Sequence, residues 1–494
     1  MDAVGQAELV RSGELAPVEL VEAACGRVQE FNPTLNVVVS PRLERARAEA
    51  AERTRDEAAF AGVPFLTKDM GAFTAGDPIA FGVRALRELG WCPKRDSAYW
   101  RRLRGAGFVD LGKTNIPELA LQCVTESPTY GPCANPWALD RSPGGSSGGA
   151  AAAVAAGVVP AAHANDIGGS IRVPAAWTGL VGLKPTRGRV SWAPGSPVAP
   201  LGMACELVVT RSVRDTAAIF DLLAGREPGD LDALERPAAP YVGGGDPGRL
   251  RVGVLAEATT TVAMDGECRD AAEGAGRLLA ELGHDVDDAH PAALARGLDV
   301  DRVLRVFAVS AAGDVAGLEP LVDRPLGEED FEPYTWHLVR SGREVSALRA
   351  ASARRKLDMW AASIAAWWSE GFDLLVTPTM PIPAPRTGEL AIRADAVAEG
   401  AHRMLGALAF TLPFNLTGQP AISVPFAMSA AGLPLGGQLV AAHGREDLLL
   451  RVAAQLEDAL AWGTRRPQPA VSPDLKGRLA ASTQFSSGTI REAS

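Results

Sequence analysis

The chain has 494 residues, 47% of them hydrophobic and 22% charged, which excludes a disordered or fibrous protein and allows a sizeable core. With 49 basic against 59 acidic residues the formal net charge is −10, which removes the positive field that a general nucleic-acid binder needs. At one domain per ~150 residues the length would suggest about three. No linker divides the chain, however, and a single domain over 1–468 with a loose tail over 469–494 is expected.

In chain order, the pattern predicts a helix over 17–31, where Pro17 suits a first turn and Leu20, Val21, Ala24 and Val28 share one face. A charged, alanine-rich helix is expected over 42–58. Residues 63–66 read as a short buried strand leading into Lys68, 96–106 as a helix and 108–111 as a strand. Residues 142–149, Ser-Pro-Gly-Gly-Ser-Ser-Gly-Gly, hold too much glycine for a helix or an ordinary strand. An alanine-rich helix over about 150–156 follows, then a second glycine turn, Ile167-Gly168-Gly169-Ser170. Helices are expected over 206–224 and 265–283, a Pro/Gly-rich surface excursion over 228–246, a strand at 250–255 and mostly helical structure over 297–370. Buried strands are predicted at 373–376 and 421–424, with 437–440 paired beside the latter. Strands alternating with helices along the chain argue an α/β layer architecture.

The six cysteines are scattered with no Cys-x-x-Cys pair, so neither a disulfide framework nor a zinc ribbon is expected, and no metal. Residues 1–6 lack the features of a signal peptide, and the longest apolar run, 150–164, is too short to span a bilayer. A cytoplasmic protein without membrane contact is the expectation. Two motifs imitate chemistry. Residues 107–114 match the P-loop pattern, but 108–111 read as a strand whose N–H groups are spent in a sheet. Gly144 to Gly148 fit a nucleophile elbow, yet that mechanism needs a later acid and histidine, and His290, His337, His402 and His443 stand in no recognisable catalytic context. His163 and His284 read as structural.

Only six of the 49 basic residues are lysines. A GC-rich codon bias explains the arginines, and it leaves a corollary: lysine survives where arginine cannot act, since only lysine loses its proton at accessible pH. In Asn165 to Arg172, two glycines before Ser170 let successive N–H groups point one way, forming a nest for an oxyanion with Ser170 placed to attack the carbonyl. A tight loop with a capping serine accounts for this octapeptide equally well. Ser146, in the other glycine turn, can relay a proton, and Lys68 can serve as base once burial lowers its pKa. A Ser-Ser-Lys relay needs no histidine.

The Gly-Gly-Ser-Ser-Gly-Gly block, the Asp-x-Gly-Gly-Ser-Ile-Arg-x-Pro block ending at Pro174 and their 24-residue serine spacing resemble the amidase signature family. Gly62 to Asp69, Gly112 to Asn115, Asn135-Pro136-Trp137, Gly182 to Thr186, Pro413 to Pro425 and Gly432 to Gln438 resemble further family blocks. The resemblance implies a central mixed twisted sheet flanked by helices on both faces. Core motifs would lie in 60–190 and 373–440, and a variable substrate-pocket region over about 228–370. It further implies that Ser170 is the nucleophile, Ser146 the bridging serine whose preceding peptide bond is usually cis, and Lys68 the base. The N–H groups of Ile167, Gly168, Gly169 and Ser170 would form the oxyanion hole, with Asp166 and Arg172 bracing the loop. By the same analogy Leu121, Gln122 and Cys123 line the pocket, Cys123 as a wall residue, with core packing as the other reading. Trp336, Trp360, Trp367 and Trp368 read as core rather than pocket. For Lys113 and Lys184, compact ammonium contacts to backbone carbonyls are the expectation.

The implied activity is hydrolysis of a small-molecule amide with no cofactor and no nucleic-acid or membrane partner; a homodimer is left open. Within the family, residues 162–166, the 445–450 stretch and the Trp462 ending are similar to the 6-aminohexanoate-cyclic-dimer hydrolases, amidases of nylon oligomers, with weaker likeness over 297–370. An aryl or alkyl amidase, an esterase or a carbamate (urethane) hydrolase would use the same relay. The glutaminase subunit of a tRNA-dependent amidotransferase is a further reading.

Overall fold

A computed structural model describes residues 1–53 and 58–467. Its strands are β1 (Val38–Pro41), β2 (Pro64–Lys68), β3 (Val109–Thr114), β4 (Ala161–Asp166), β5 (Val181–Lys184) and β6 (Cys205–Thr210), then β7 (Arg251–Val254), β8 (Asp285–Asp287), β9 (Leu374–Pro378), β10 (Ala421–Met428) and β11 (Pro434–Ala441). They form one eleven-stranded mixed sheet in the order β1-β3-β2-β4-β6-β5-β10-β11-β9-β7-β8, with helices packed against it in an α/β architecture. Strands β2, β3 and β4 run parallel, and β6 runs antiparallel to β4. Lys68 and Asp166 therefore end at the same carboxyl edge, where sheets of this class place their ligands.

Most expected elements form. The helix at Pro17 spans Pro17–Leu35, with the proline in its first turn. The P-loop look-alike is strand β3, its backbone committed to β1 and β2. Strand 437–440 lies inside β11, antiparallel to β10. Two expectations fail. The helix read over 206–224 is instead strand β6 followed by a helix at Val213–Leu223, whose first turn is capped by the Ser212 side chain. Leu207, Val208, Val209 and Thr210 are all fully buried, and a continuous apolar, β-branched run carries no period that separates a strand from a helix. The helix read over 42–58 spans Leu43–Ala51, and residues 54–57 of that reading lie outside the described residues. The expected tail over 469–494 lies outside the described residues.

One apolar cluster runs along the sheet, from Phe65, Leu66, Val109, Ala162 and Val208 to Val252, Val376, Ile422 and Leu439. A second joins the helices Val300–Val322, Pro333–Glu344 and Ala347–Ala365 to Cys123, Trp177 and Leu408, and roofs the carboxyl edge. Among the described residues no helix is long and apolar enough to cross a membrane.

Candidate active site

Lys68 closes β2 fully buried. Its Nζ donates to Ser146 Oγ at 2.7 Å and to Asn165 Oδ1 at 2.6 Å. The Asn165 amide Nδ2 donates to the Met70 carbonyl at 3.2 Å, which turns the oxygen toward the lysine. Burial pushes the Lys68 ammonium down to about 7, with Asp166 and Glu206 pulling the other way. Ser146 follows a cis Gly145–Ser146 peptide bond. Gly145 is needed there for space: a Cβ would lie 2.8 Å from the backbone of Cys123 and Val124.

The 167–170 turn is held from behind by one ion pair. Asp166 accepts from the N–H groups of Ile171 and Arg172 and, at 2.9 Å each, from Arg172 Nε and Nη2. Arg172 also donates to the Thr411 carbonyl, Gln438 Oε1 and Asn415 Oδ1. Burial alone would raise the Asp166 carboxyl, but Arg172 and Asn415 hold it at about 2, so it stays ionised. With the two following N–H groups consumed by Asp166, those of Ile167, Gly168, Gly169 and Ser170 find no protein acceptor among the described residues. Gly169 sits at φ +145, and a Cβ there would come within 2.6 Å of Thr411 Oγ1, which itself donates to the Gly168 carbonyl. The arrangement can receive an oxyanion.

The turn opens on a cavity of about 330 Å³ whose wall includes Ile167, Gly168 and Ser170. Of the three pocket residues expected from the sequence, Leu121 and Cys123 line it. Gln122 is absent from the lining, and its amide donates to Glu332 at 2.9 Å. Burial pushes the Cys123 thiol up to about 12, so it is a wall rather than a nucleophile. Trp336, Trp360, Trp367 and Trp368 stay out of the lining. Trp192, Phe73, Phe81 and Phe307 supply its aromatic surface. The charged side chains of the lining, among the described residues, are Glu206 and Asp314, with no arginine, lysine or histidine. No group of three or more His, Cys, Asp or Glu that could hold a metal occurs among the described residues.

Lys113 reaches the Ala72 carbonyl and the hydroxyls of Thr67 and Thr74, and Lys184 reaches the Pro185 carbonyl and Cys205 Sγ. Each thus makes the carbonyl contact expected, with additional side-chain partners. Sequence reasoning missed Asn165 and Glu206. The first stood in the 162–166 run, read there only for its likeness to one subgroup of the family. The second is a lone acid inside an apolar run, a visible signal once that run is read as a strand.

The family model for amidases matches residues 19–450. The 6-aminohexanoate-cyclic-dimer hydrolase of Paenarthrobacter ureafaciens is 45% identical over 479 residues, covering 94% of this chain and 96% of its own. The crystal structure of a 6-aminohexanoate cyclic dimer hydrolase complexed with substrate superposes with a TM-score of 0.91 at 44% identity, over 95% of this chain and 98% of the other. A bacterial aryl acylamidase of the amidase signature family superposes with a TM-score of 0.84 at 27% identity, over 94% and 97% of the two chains.

Proposed function

Because the chain belongs to the amidase family and is a hydrolase of amide bonds, we propose that it cleaves small uncharged amides, linear or cyclic, through an acyl-enzyme on Ser170. The observation that carries this reading is Lys68, a buried amine 2.7 Å from the Ser146 hydroxyl behind a turn of unengaged N–H groups. Neutral Lys68 takes a proton from Ser146, and Ser146 takes one from Ser170. The Ser170 oxygen attacks the amide carbonyl, and the tetrahedral oxyanion rests on the N–H groups of residues 167–170. The relay runs backward to protonate the leaving amine, and water then hydrolyses the ester. One oxyanion donor supplies roughly 10²–10³ in rate.

The largely apolar lining with two acids and no cation disfavours an anionic acyl chain. It offers no cationic partner for the α-carboxylate of glutamine, which weighs against the glutaminase reading. The 6-aminohexanoate cyclic dimer, named for the 45% identical relative, is the first substrate to try; aryl and alkyl amides, esters and carbamates suit the same steps. The test is a screen of the purified chain against a cyclic amide, a linear amide, an ester, a carbamate and free glutamine, with mass spectrometry for acylated Ser170. Acylation at Ser170 with amide turnover is expected. Turnover of free glutamine alone, or normal turnover by Ser170→Ala, would overturn it.

A further inference from the structure

The relay leaves two fully buried polar residues behind Lys68 without a role. Glu206 stands directly across the β4–β6 ladder from Asn165, and His163 lies two residues before Asn165 on β4. Three side chains converge on Gly71: a Cβ there would lie 2.4 Å from Glu206 Oε1, 2.9 Å from Asn165 Nδ2 and 3.0 Å from His163 Cε1. His163 Nδ1 accepts the backbone N–H of Lys68 at 3.3 Å. A neutral ring that accepts at Nδ1 carries its proton on Nε2, and Nε2 lies 3.4 Å from Glu206 Oε1. Burial, with Lys68 and Lys113 nearby, keeps His163 well below its ordinary range and so uncharged. His163 Nε2 and Glu206 Oε1 are both buried, and neither makes a hydrogen bond among the described residues. A buried acid with no cation on its own strand is either protonated or answered by a counter-charge from elsewhere.

We propose that Glu206, beside His163, is the counter-charge of the Lys68 ammonium and hence a positioning residue for the base. The inference rests on the relay of the preceding section. The titratable groups that face Lys68 are Asp166 and His163 on β4 and Glu206 on β6. Those that face Glu206 are Lys68, His163 and Tyr99, whose hydroxyl burial holds far above neutrality. Asp166 is committed to Arg172, which leaves Glu206 as the acid free to answer Lys68. Burial pushes Glu206 up to about 8, and Lys68 pulls it back, so the two groups contend for one proton over the same pH range. When Lys68 accepts the Ser146 proton, an ionised Glu206 keeps the pair neutral.

The scarcity of lysine makes the test direct. With six lysines in the chain, protein labelled with ¹⁵Nζ-lysine gives few signals, and Lys68→Arg assigns one. Lys68 in the wild type should titrate in a broad, two-step curve. In Glu206→Gln it should titrate in one step about one pH unit lower, since an opposite charge nearby shifts a pKa by roughly 1–3 units. The acid limb of kcat/KM should move the same way, and Glu206→Asp, which restores the charge, should return both toward wild type. Superimposable Lys68 curves in wild type and Glu206→Gln would overturn the proposal. If Glu206→Gln does not fold, a single-step curve in the wild type together with an unshifted acid limb in Glu206→Asp would do so. A coupled Lys68 titration in a wild type that turns over no amide would leave the pairing standing and remove the amidase relay beneath it.

Discussion

At the scale of single residues, the proposed relay depends on a lysine that can be neutral. A surface ammonium holds its proton to about pH 10, and at that affinity Lys68 would not deprotonate a serine near neutrality. Burial changes this, bringing Lys68 down to about 7. Below that pH the amine is protonated and cannot accept from Ser146; above it the amine is free. The acid limb of kcat/KM in the wild type should therefore rise through about pH 7, falling roughly tenfold per pH unit below it, as a pH–rate profile on any turned-over amide will show. Lys68→Ala and Ser170→Ala should each abolish hydrolysis with the thermal melt retained. Lys68→Arg should be as dead as Lys68→Ala, because guanidinium stays protonated at every accessible pH. Lys68 was legible in the sequence through this reasoning. Its acceptor Asn165 was not, because the contact joins positions 97 residues apart and exists only once β2 and β4 lie side by side.

At the scale of the element, the strand–turn–helix unit from β4 into Arg172–Thr178 is rigid because its ends are tied to each other. Asp166 and Arg172 are both fully buried and bidentately paired. Removing one partner leaves the other charge unpaired in the interior, so Asp166→Asn should cost roughly 3–5 kcal/mol, read as a fall in the urea midpoint. The Asp166 carboxyl is held at about 2 in the fold against about 3.9 in an unfolded chain. Its contribution is thus complete above pH 4 and is lost as the pH falls from 4 toward 2, a loss that Asp166→Asn should not show. Gly169→Ala is the complementary change: it forces a Cβ onto Thr411 at φ +145. It should lower kcat about 10²-fold or more, with KM little altered, as expected when oxyanion donors are misaimed. This element was readable because its glycines, serine and ion pair fall within seven consecutive residues. Strand β6 was not, since its identity comes from pairing between β4 and β5 rather than from its own pattern. Misreading it as helix also hid Glu206, whose position opposite Asn165 follows from strand register alone.

At the scale of the whole molecule, the cavity is assembled from segments that the sequence keeps far apart. They include the loop after β2, the Leu119–Cys123 stretch, the 167–170 turn, Trp192, one face of Val300–Val322 and the Met404–Leu408 stretch. The expected pocket region over 228–370 supplies only Phe307, Ser310 and Asp314 of this wall. The proposed relay lies at the end of β2 and in two turns at the carboxyl edge, while most of the wall comes from loops and helices packed over that edge, so the two can vary separately. That division makes charge selection a property of the assembled wall rather than of the relay. An anionic acyl chain would enter a low-dielectric space whose lining holds Glu206 and Asp314 but no cationic side chain, and an aminated one would meet attraction at Asp314. Three p-nitroanilides of matched length, carrying a terminal ammonium, methyl or carboxylate on the acyl chain, separate these effects. The carboxylate compound should show the lowest kcat/KM. Asp314→Lys should narrow or invert the gap between ammonium and carboxylate, by about fivefold for an interaction near 1 kcal/mol at a solvated carboxylate. Raised salt should shrink whatever gap Asp314 makes, because solvated charges are screened within about 10 Å at 0.1 M. It should leave the Lys68 acid limb in place, because that pair is buried from the ions. An unchanged rank order in Asp314→Lys would mean that selection by charge resides at the fully buried Glu206 rather than in the helical wall.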